Sequence, residues 1–171
     1  SNFNFVRIFM HIILKNKFLY IGHYKIKCAI GKRGISKNKR EGDLCTPSGE
    51  FRFESLLYRK DRVKHFKTSI PKKNIKKNMG WCDDPDSRMY NRLIRFPFAF
   101  GAEKLFLKKS VYDLVLVMNH NRNPIIRNKG SAIFLHLADK KFSPTKGCVA
   151  IKKNDFLKIL SKIEKKTKII I

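Results

Sequence analysis

The chain has 171 residues, 43% hydrophobic and 30% charged, a globular composition that excludes a disordered or fibrous protein. Lys and Arg number 39 against 13 Asp and Glu, a formal charge of +26, which draws the protein toward polyanions of every kind. The positive residues run along the whole chain rather than one helix, so charge alone does not define a nucleic-acid-binding module. No apolar stretch reaches the length of a membrane-spanning helix, and the size fits a single domain, 1–171, with a core of its own.

In chain order, FNFVRIF (3–9) and YKIKCAI (24–30) alternate apolar and polar residues and read as strands. Between them KFLYIG, ending at Gly22, suggests a hairpin. GKRGISKNKREGDLCTPSGE (31–50) carries four glycines and a proline and reads as a long surface loop feeding the strand FRFES (51–55). The segment from about 60 to 100, with Pro71, Pro85 and Pro97, is irregular, which inside a domain points to a functional insertion more often than a connector. VYDLVLVMNH (111–120), GSAIFLHL (130–137) and GCVAI (147–151) read as buried strands. Asn154 is placed to cap a helix over NDFLKILSKIEKK, whose Phe156, Ile159, Leu160 and Ile163 form one apolar face; TKIII (167–171) reads as a closing strand. The expectation is a mainly β fold with one C-terminal helix.

The cysteines at 28, 45, 82 and 148 form no CxxC pair, and the histidines at 11, 23, 65, 120 and 136 are equally scattered. No metal-ligand set follows from that spacing, and no cofactor is expected. A disulfide among Cys28, Cys45 and Cys82 stays open, although Cys82 reads as structural. Asp83, Asp84 and Asp86 lack the Gly and distal Glu of an EF-hand. Gly31, Gly34, Gly42 and Gly49 open no helix and make no phosphate-binding fingerprint. SNFNFVRIFMHIIL at the start lacks the features of a signal peptide, and a chain that does not begin with Met leaves export open.

The informative stretch is GSAIFLHLADKKFSPTKGCVAI (130–151). His136 ends one buried strand and Cys148 opens the next. If the two strands are neighbours, the loop returns the thiol beside the imidazole, which can take its proton and raise the thiolate fraction. Gly147 removes a side chain where a substrate carbonyl must approach, and backbone N–H groups there can hold an oxyanion. Taken singly, a cysteine in a strand is more often a small buried hydrophobe, and a histidine on an apolar strand a satisfied core residue.

FLHL followed by TKGCVAI resembles the signature of the L,D-transpeptidase catalytic domain (YkuD-like) family, where Ser or Thr, any residue, Gly and Cys follow an upstream His. KREGDLCTPSGEF (39–51) is similar to that family's Thr-Pro-x-Gly-x-Phe motif, and GWCDDP, YNR, YDLVLVMNHN and GSAIFLH resemble one bacterial branch of it. The likeness runs in register over residues 27–160. It implies a single-domain β-sandwich or barrel with Cys148 as acyl-accepting nucleophile and His136 as base. The Leu137 carbonyl would orient the imidazole, the Gly147 and Cys148 amides would be oxyanion donors, and Thr145 would brace the loop. The chain departs from the family at Lys146, Ala150 and Leu137, where many members have His, Arg and Gly.

The resemblance further implies acyl transfer on peptidoglycan tetrapeptide stems through a thioester, in the cell envelope or periplasm, with covalent inhibition by carbapenems and no metal or cofactor. A hydrolytic relative (an L,D-carboxypeptidase), an inactive wall-binding relative and a basic nucleic-acid-binding protein are the competing readings. Trp81, Tyr90, Asn91 and Arg92 read either as a wall of the substrate cleft or as a packed loop. Arg92 or Arg95 is suited to a stem-peptide carboxylate, and His120 to the cleft of His136.

Overall fold

Period-two alternation makes the strands of the first third. In the computed structural model, which describes residues 11–171, β1 (Ile12–Lys15), β2 (Phe18–Ile21) and β3 (Tyr24–Ala29) form an antiparallel meander. Asn16 and Lys17 both have positive φ, the backbone of a two-residue hairpin turn whose twist matches its strands. The hairpin expected at Gly22 is the β2–β3 turn. The strand expected over 3–9 lies outside the described residues.

The remaining elements are β4 (Ile35–Ser36), β5 (Thr46–Pro47), β6 (Glu50–Tyr58), β7 (Lys72–Asn74), β8 (Met79–Cys82), β9 (Leu93–Arg95), β10 (Ala102–Lys104), β11 (Leu114–Met118), β12 (Phe134–Leu137), β13 (Val149–Ile151), α1 (Lys153–Leu160) and β14 (Lys168–Ile170). A nine-stranded sheet runs in the order β11-β12-β13-β3-β2-β1-β14-β6-β7, and a β11–β6 pairing closes every strand but β7 into a barrel-like ring. Closure leaves the ring without an unpaired edge. A separate three-stranded sheet, β10-β8-β9, is built from the irregular middle segment.

The mainly β expectation holds, while several boundaries move. The strand expected over 130–137 shrinks to Phe134–Leu137 because Asn128, Gly130 and Ala132 have positive φ, which no ladder accommodates. The 31–50 segment is more than a surface loop: it contains the β4–β5 pair and buries Lys39 and Thr46. The helix starts two residues early, with its N-cap at 152 instead of 154. Lys152, extended at φ −63° and ψ 149°, is its N-cap without a side-chain bond, since β13 ends at Ile151 and the chain must turn at once. Asn154 therefore sits inside the first turn and caps nothing, and Ser161 closes the helix.

Strands β11, β12 and β13 are buried along their whole length and read as near-continuous apolar runs, whereas β1, β3 and the first half of β6 alternate buried with exposed positions. Leu114, Leu116, Leu135, Leu137, Val149 and Ile151 face one core cluster, which also takes Phe156, Ile159, Leu160 and Ile163. Val115, Val117, Phe134 and Cys148 face a second, with Trp81 and Leu105 of the small-sheet region. Phe156 is 0% exposed, so Phe156→Ala is expected to lower unfolding free energy by about 3–5 kcal/mol. Urea unfolding measures this, and a loss under about 1 kcal/mol would show that the helix is not a core element.

Candidate active site

Strands β12 and β13 are parallel neighbours in the register Leu135↔Val149 and His136↔Ala150. Side chains alternate across a strand. With Leu135 and Val149 turned to the main core, His136 and Cys148 share the opposite face. Both line one open cleft of about 480 Å³, together with Lys39, Glu41, Asp83, Glu103 and Tyr112. His136 is 8% and Cys148 9% exposed, so the pair forms the floor of the cleft.

His136 Nδ1 lies 2.9 Å from the Leu137 carbonyl oxygen. A carbonyl only accepts, so Nδ1 carries the proton and Nε2 keeps its lone pair. The Tyr112 ring stands edge-on to the imidazole, centroids 5.2 Å apart at 83°. Burial pulls the His136 pKa below its ordinary value, against the Leu137 and Val111 carbonyls that favour the charged form. The imidazole is thus neutral at neutral pH.

The Cys148 thiol donates to the Ala132 carbonyl at 3.1 Å and its sulfur receives the Phe134 N–H at 3.4 Å. Its pKa is pushed up to about 12, chiefly by burial and then by the charge of Glu103, while the Phe134 N–H and Lys39 pull the other way. The resting site is therefore a neutral thiol beside a neutral imidazole, and the thiol proton points at Ala132. Ala132 presents that carbonyl from a left-handed backbone, φ 53°. Its own N–H donates to Asn91 Oδ1 at 3.0 Å.

The turn before Cys148 is braced from inside and outside. Thr145 Oγ donates to the Cys148 carbonyl at 2.6 Å and accepts from the Gly147 N–H at 3.1 Å. The Gly147 amide, an expected oxyanion donor, is thus engaged within the turn. Gly147 has φ 148°, and a Cβ there would meet the Cys45 carbonyl oxygen at 2.8 Å. Thr145 is bridged to Gly31, whose N–H donates to Thr46 Oγ at 2.8 Å. The Thr-Pro segment expected to enter a strand also clamps the nucleophile turn.

Of the middle segment Asp83 reaches the cleft, but the expected wall residues Trp81, Tyr90, Asn91 and Arg92 do not line it. Trp81 is buried, edge-on to Phe134, with its indole N–H donating to Asn91 Oδ1. Asn91 also donates to the carbonyls of His120 and Asn121, so it is a buried structural hub. Tyr90 is buried too; its hydroxyl donates to Glu41 Oε1 at 2.7 Å and receives the Gly130 N–H, acting on the cleft through Glu41. Arg92 and Arg95 are exposed elsewhere. His120 turns away: its Nε2 contacts the Lys129 carbonyl at 3.0 Å and its ring packs edge-on against Phe51. Trp81, Tyr90 and Asn91 are buried with their hydrogen-bonding groups satisfied by one another and by the neighbouring loops. All four cysteines are free.

Five cleft residues escaped the sequence reading: Lys39 and Glu41 in the supposed surface loop, Asp83 just after β8, Glu103 within β10, and Tyr112 in the turn before β11. The signal available was charge: carboxylates are scarce in this chain. Among the described residues no cluster of His, Cys, Asp and Glu is arranged to hold a metal ion, and no helix is long and apolar enough to cross a membrane.

The sequence model of the YkuD family, the L,D-transpeptidase catalytic domain, matches residues 10–171. No curated protein matches. Among solved structures, that of Bdellovibrio bacteriovorus Bd1075 is similar at 17% identity and a TM-score of 0.48, over 95% of this chain and 47% of that one. The chain thus spans about half the length of that protein.

Two outcomes test the site. Iodoacetamide alkylation of Cys148 is expected to climb with pH from 7 to 10 without levelling off, because a thiol pushed up to about 12 gains thiolate throughout that range; a plateau near pH 7 would reveal a thiolate–imidazolium pair instead. Asn91→Ala strands the Trp81 indole and the Ala132 amide, each worth about 1–3 kcal/mol when left unpaired, and urea unfolding should register a loss of that order.

Proposed function

Because the chain belongs to the L,D-transpeptidase catalytic domain family, we propose that it is a cysteine acyltransferase of the cell envelope, acting on peptidoglycan tetrapeptide stems. One observation carries this reading: Cys148 and His136 share one face of two parallel strands and one open cleft, with the imidazole held in the tautomer that leaves Nε2 as a base. Binding of the stem turns the thiol proton from the Ala132 carbonyl to His136 Nε2. The proton transfer is uphill in the resting state, since burial pushes thiol and imidazole in opposite directions. Substrate contacts must offset that difference.

The thiolate attacks the carbonyl of the third stem residue. The oxyanion is received by the Cys148 N–H, the amide of the turn that Thr145 does not occupy. Collapse expels the amine of the terminal D-Ala, which takes the proton back from His136, and a thioester remains on Cys148. An amine of a second stem then resolves it into a cross-link, or water into a free acid. Lys146 and Ala150, where many members have His and Arg, both line the cleft and reshape how the stem lies in it.

Intact-mass spectra of the reduced protein treated with a carbapenem provide the test. Wild type is expected to gain one adduct, Cys148→Ala none, and His136→Ala should acylate about 100-fold slower or worse. Release of D-Ala from purified tetrapeptide should follow the same order. A folded, reduced wild type that stays unmodified and releases no D-Ala refutes the reading.

A further inference from the structure

The cleft carries carboxylates in a protein of formal charge +26, and they are not alike. Glu41 Oε1 is occupied by the hydroxyls of Tyr90 and Ser131. Asp139 is tied into its own turn by the Lys141 and Ser143 amides. Glu103 differs. The β10–β8 ladder pairs it with Trp81, so it faces the side on which Trp81 meets Phe134, toward β12. Its Oε1 accepts the Tyr112 hydroxyl at 2.8 Å, while Oε2 carries no hydrogen bond from the described residues. No buried side-chain nitrogen or oxygen among those residues lacks a partner. The free Oε2 is therefore not fully buried, and Glu103 is one of the residues that line the cleft.

Its neighbours link it to the reacting pair. Tyr112 holds Glu103 by its hydroxyl and His136 by its ring edge. The Glu103 charge reaches Cys148, where it opposes thiolate formation. A carboxylate that hinders the nucleophile when ionised ceases to hinder it once a cation sits beside it. The chemistry assigned to this site has such a cation, since an acyl acceptor amine arrives as an ammonium ion at neutral pH.

We propose that Glu103 is a further catalytic residue of the acyl transfer: its free Oε2 receives the ammonium of a primary-amine acceptor and takes one proton from it, so that an amine resolves the thioester in preference to water. The inference rests on the acyl-enzyme reading above and specifies its second half. The acceptor R–NH3⁺ gives one proton to the carboxylate, and its freed lone pair attacks the thioester carbonyl carbon. The C–S bond breaks, and a second N–H proton passes through His136 to the departing Cys148 sulfur. The products are an amide that keeps the third hydrogen, a thiol and a protonated Glu103. Burial raises the Glu103 pKa to about 7, with Asp83 and Glu41 pushing the same way and Tyr112 and Lys146 opposing. Such a carboxyl can both accept and return a proton at neutral pH.

The test uses the full chain with a tetrapeptide donor and glycinamide as the amine, reading amide and acid products by mass spectrometry. Glu103→Gln keeps an oxygen for the Tyr112 hydroxyl but loses the charge. It should lower the amide-to-acid ratio by about tenfold or more, as loss of a charge-assisted hydrogen bond does, and raise the KM for glycinamide. Carbapenem uptake by the same variant should rise, because the charge opposing the thiolate has gone. A merely structural Glu103 would slow both reactions alike, and that result, or an unchanged product ratio, overturns the proposal. On the wild type, glycinamide hydrochloride should speed alkylation of Cys148 more than sodium chloride at equal ionic strength; equal effects overturn it as well. A wild type that takes up carbapenem yet makes only acid refutes the amine role alone. One that never acylates refutes the underlying reading and this proposal with it.

Discussion

The parallel pairing of β12 with β13 is the constraint on which the site depends. Parallel neighbours need a connection that leaves one end of the sheet and returns to the other, and here residues 138–148 make that return without a helix. A slip of one residue in this register would turn every side chain to the other face. His136 would then enter the main core and Leu135 would line the cleft. The slip is opposed on both sides of the pair at once, by Leu135, Leu137, Val149 and Ile151 inside the barrel and by Phe134 against Trp81 outside it. Apolar packing thus fixes the relative position of two polar groups that make no hydrogen bond to each other.

Electrostatics then sets what those groups do at rest. Burial favours the neutral form of each, so the thiol is pushed up and the imidazole down. The positive charge of the chain does little to counter this, because most of it lies on exposed lysines screened by solvent. Lys39 is the exception, buried and close enough to pull on the thiol, yet its ammonium is already engaged by Asp43 and the Arg40 carbonyl. A protein rich in cations therefore presents a nucleophile on which the strongest charge influence is that of a carboxylate, Glu103.

What the sequence disclosed follows the same physics. The apolar strands around His136 and Cys148 were legible because buried strands must be continuously hydrophobic, and the helix because its apolar residues recur every three or four positions. Its cap was not legible: Asn154 is a favourable capping residue, but the end of the β13 ladder at Ile151 decided where the helix began. In the middle segment the side-chain types read as special with two reasons open, a cleft wall or a packed loop, and the buried contacts of Trp81, Tyr90 and Asn91 fit the packed loop. Asn91 takes φ 57° and satisfies three elements at once, a role visible only when partners distant in sequence are brought together. Glu103 lies on β10 of the small sheet and Tyr112 in the turn before β11, and no local pattern in either segment announces the other.

The 31–50 segment shows how a loop with few regular hydrogen bonds can still be exacting. Gly31 admits no Cβ, since one would lie 2.6 Å from the Leu44 carbonyl oxygen, and Gly147 admits none because of Cys45. These two close approaches press the segment against the turn that carries Cys148. Thr46 and Thr145, one on each side of the contact, hold the amides of Gly31 and Gly147. The paired threonines and glycines form a single clamp, written in two motifs far apart in the chain. A change that loosens the Thr-Pro segment would therefore act on the nucleophile turn through backbone contact, without touching sulfur or imidazole.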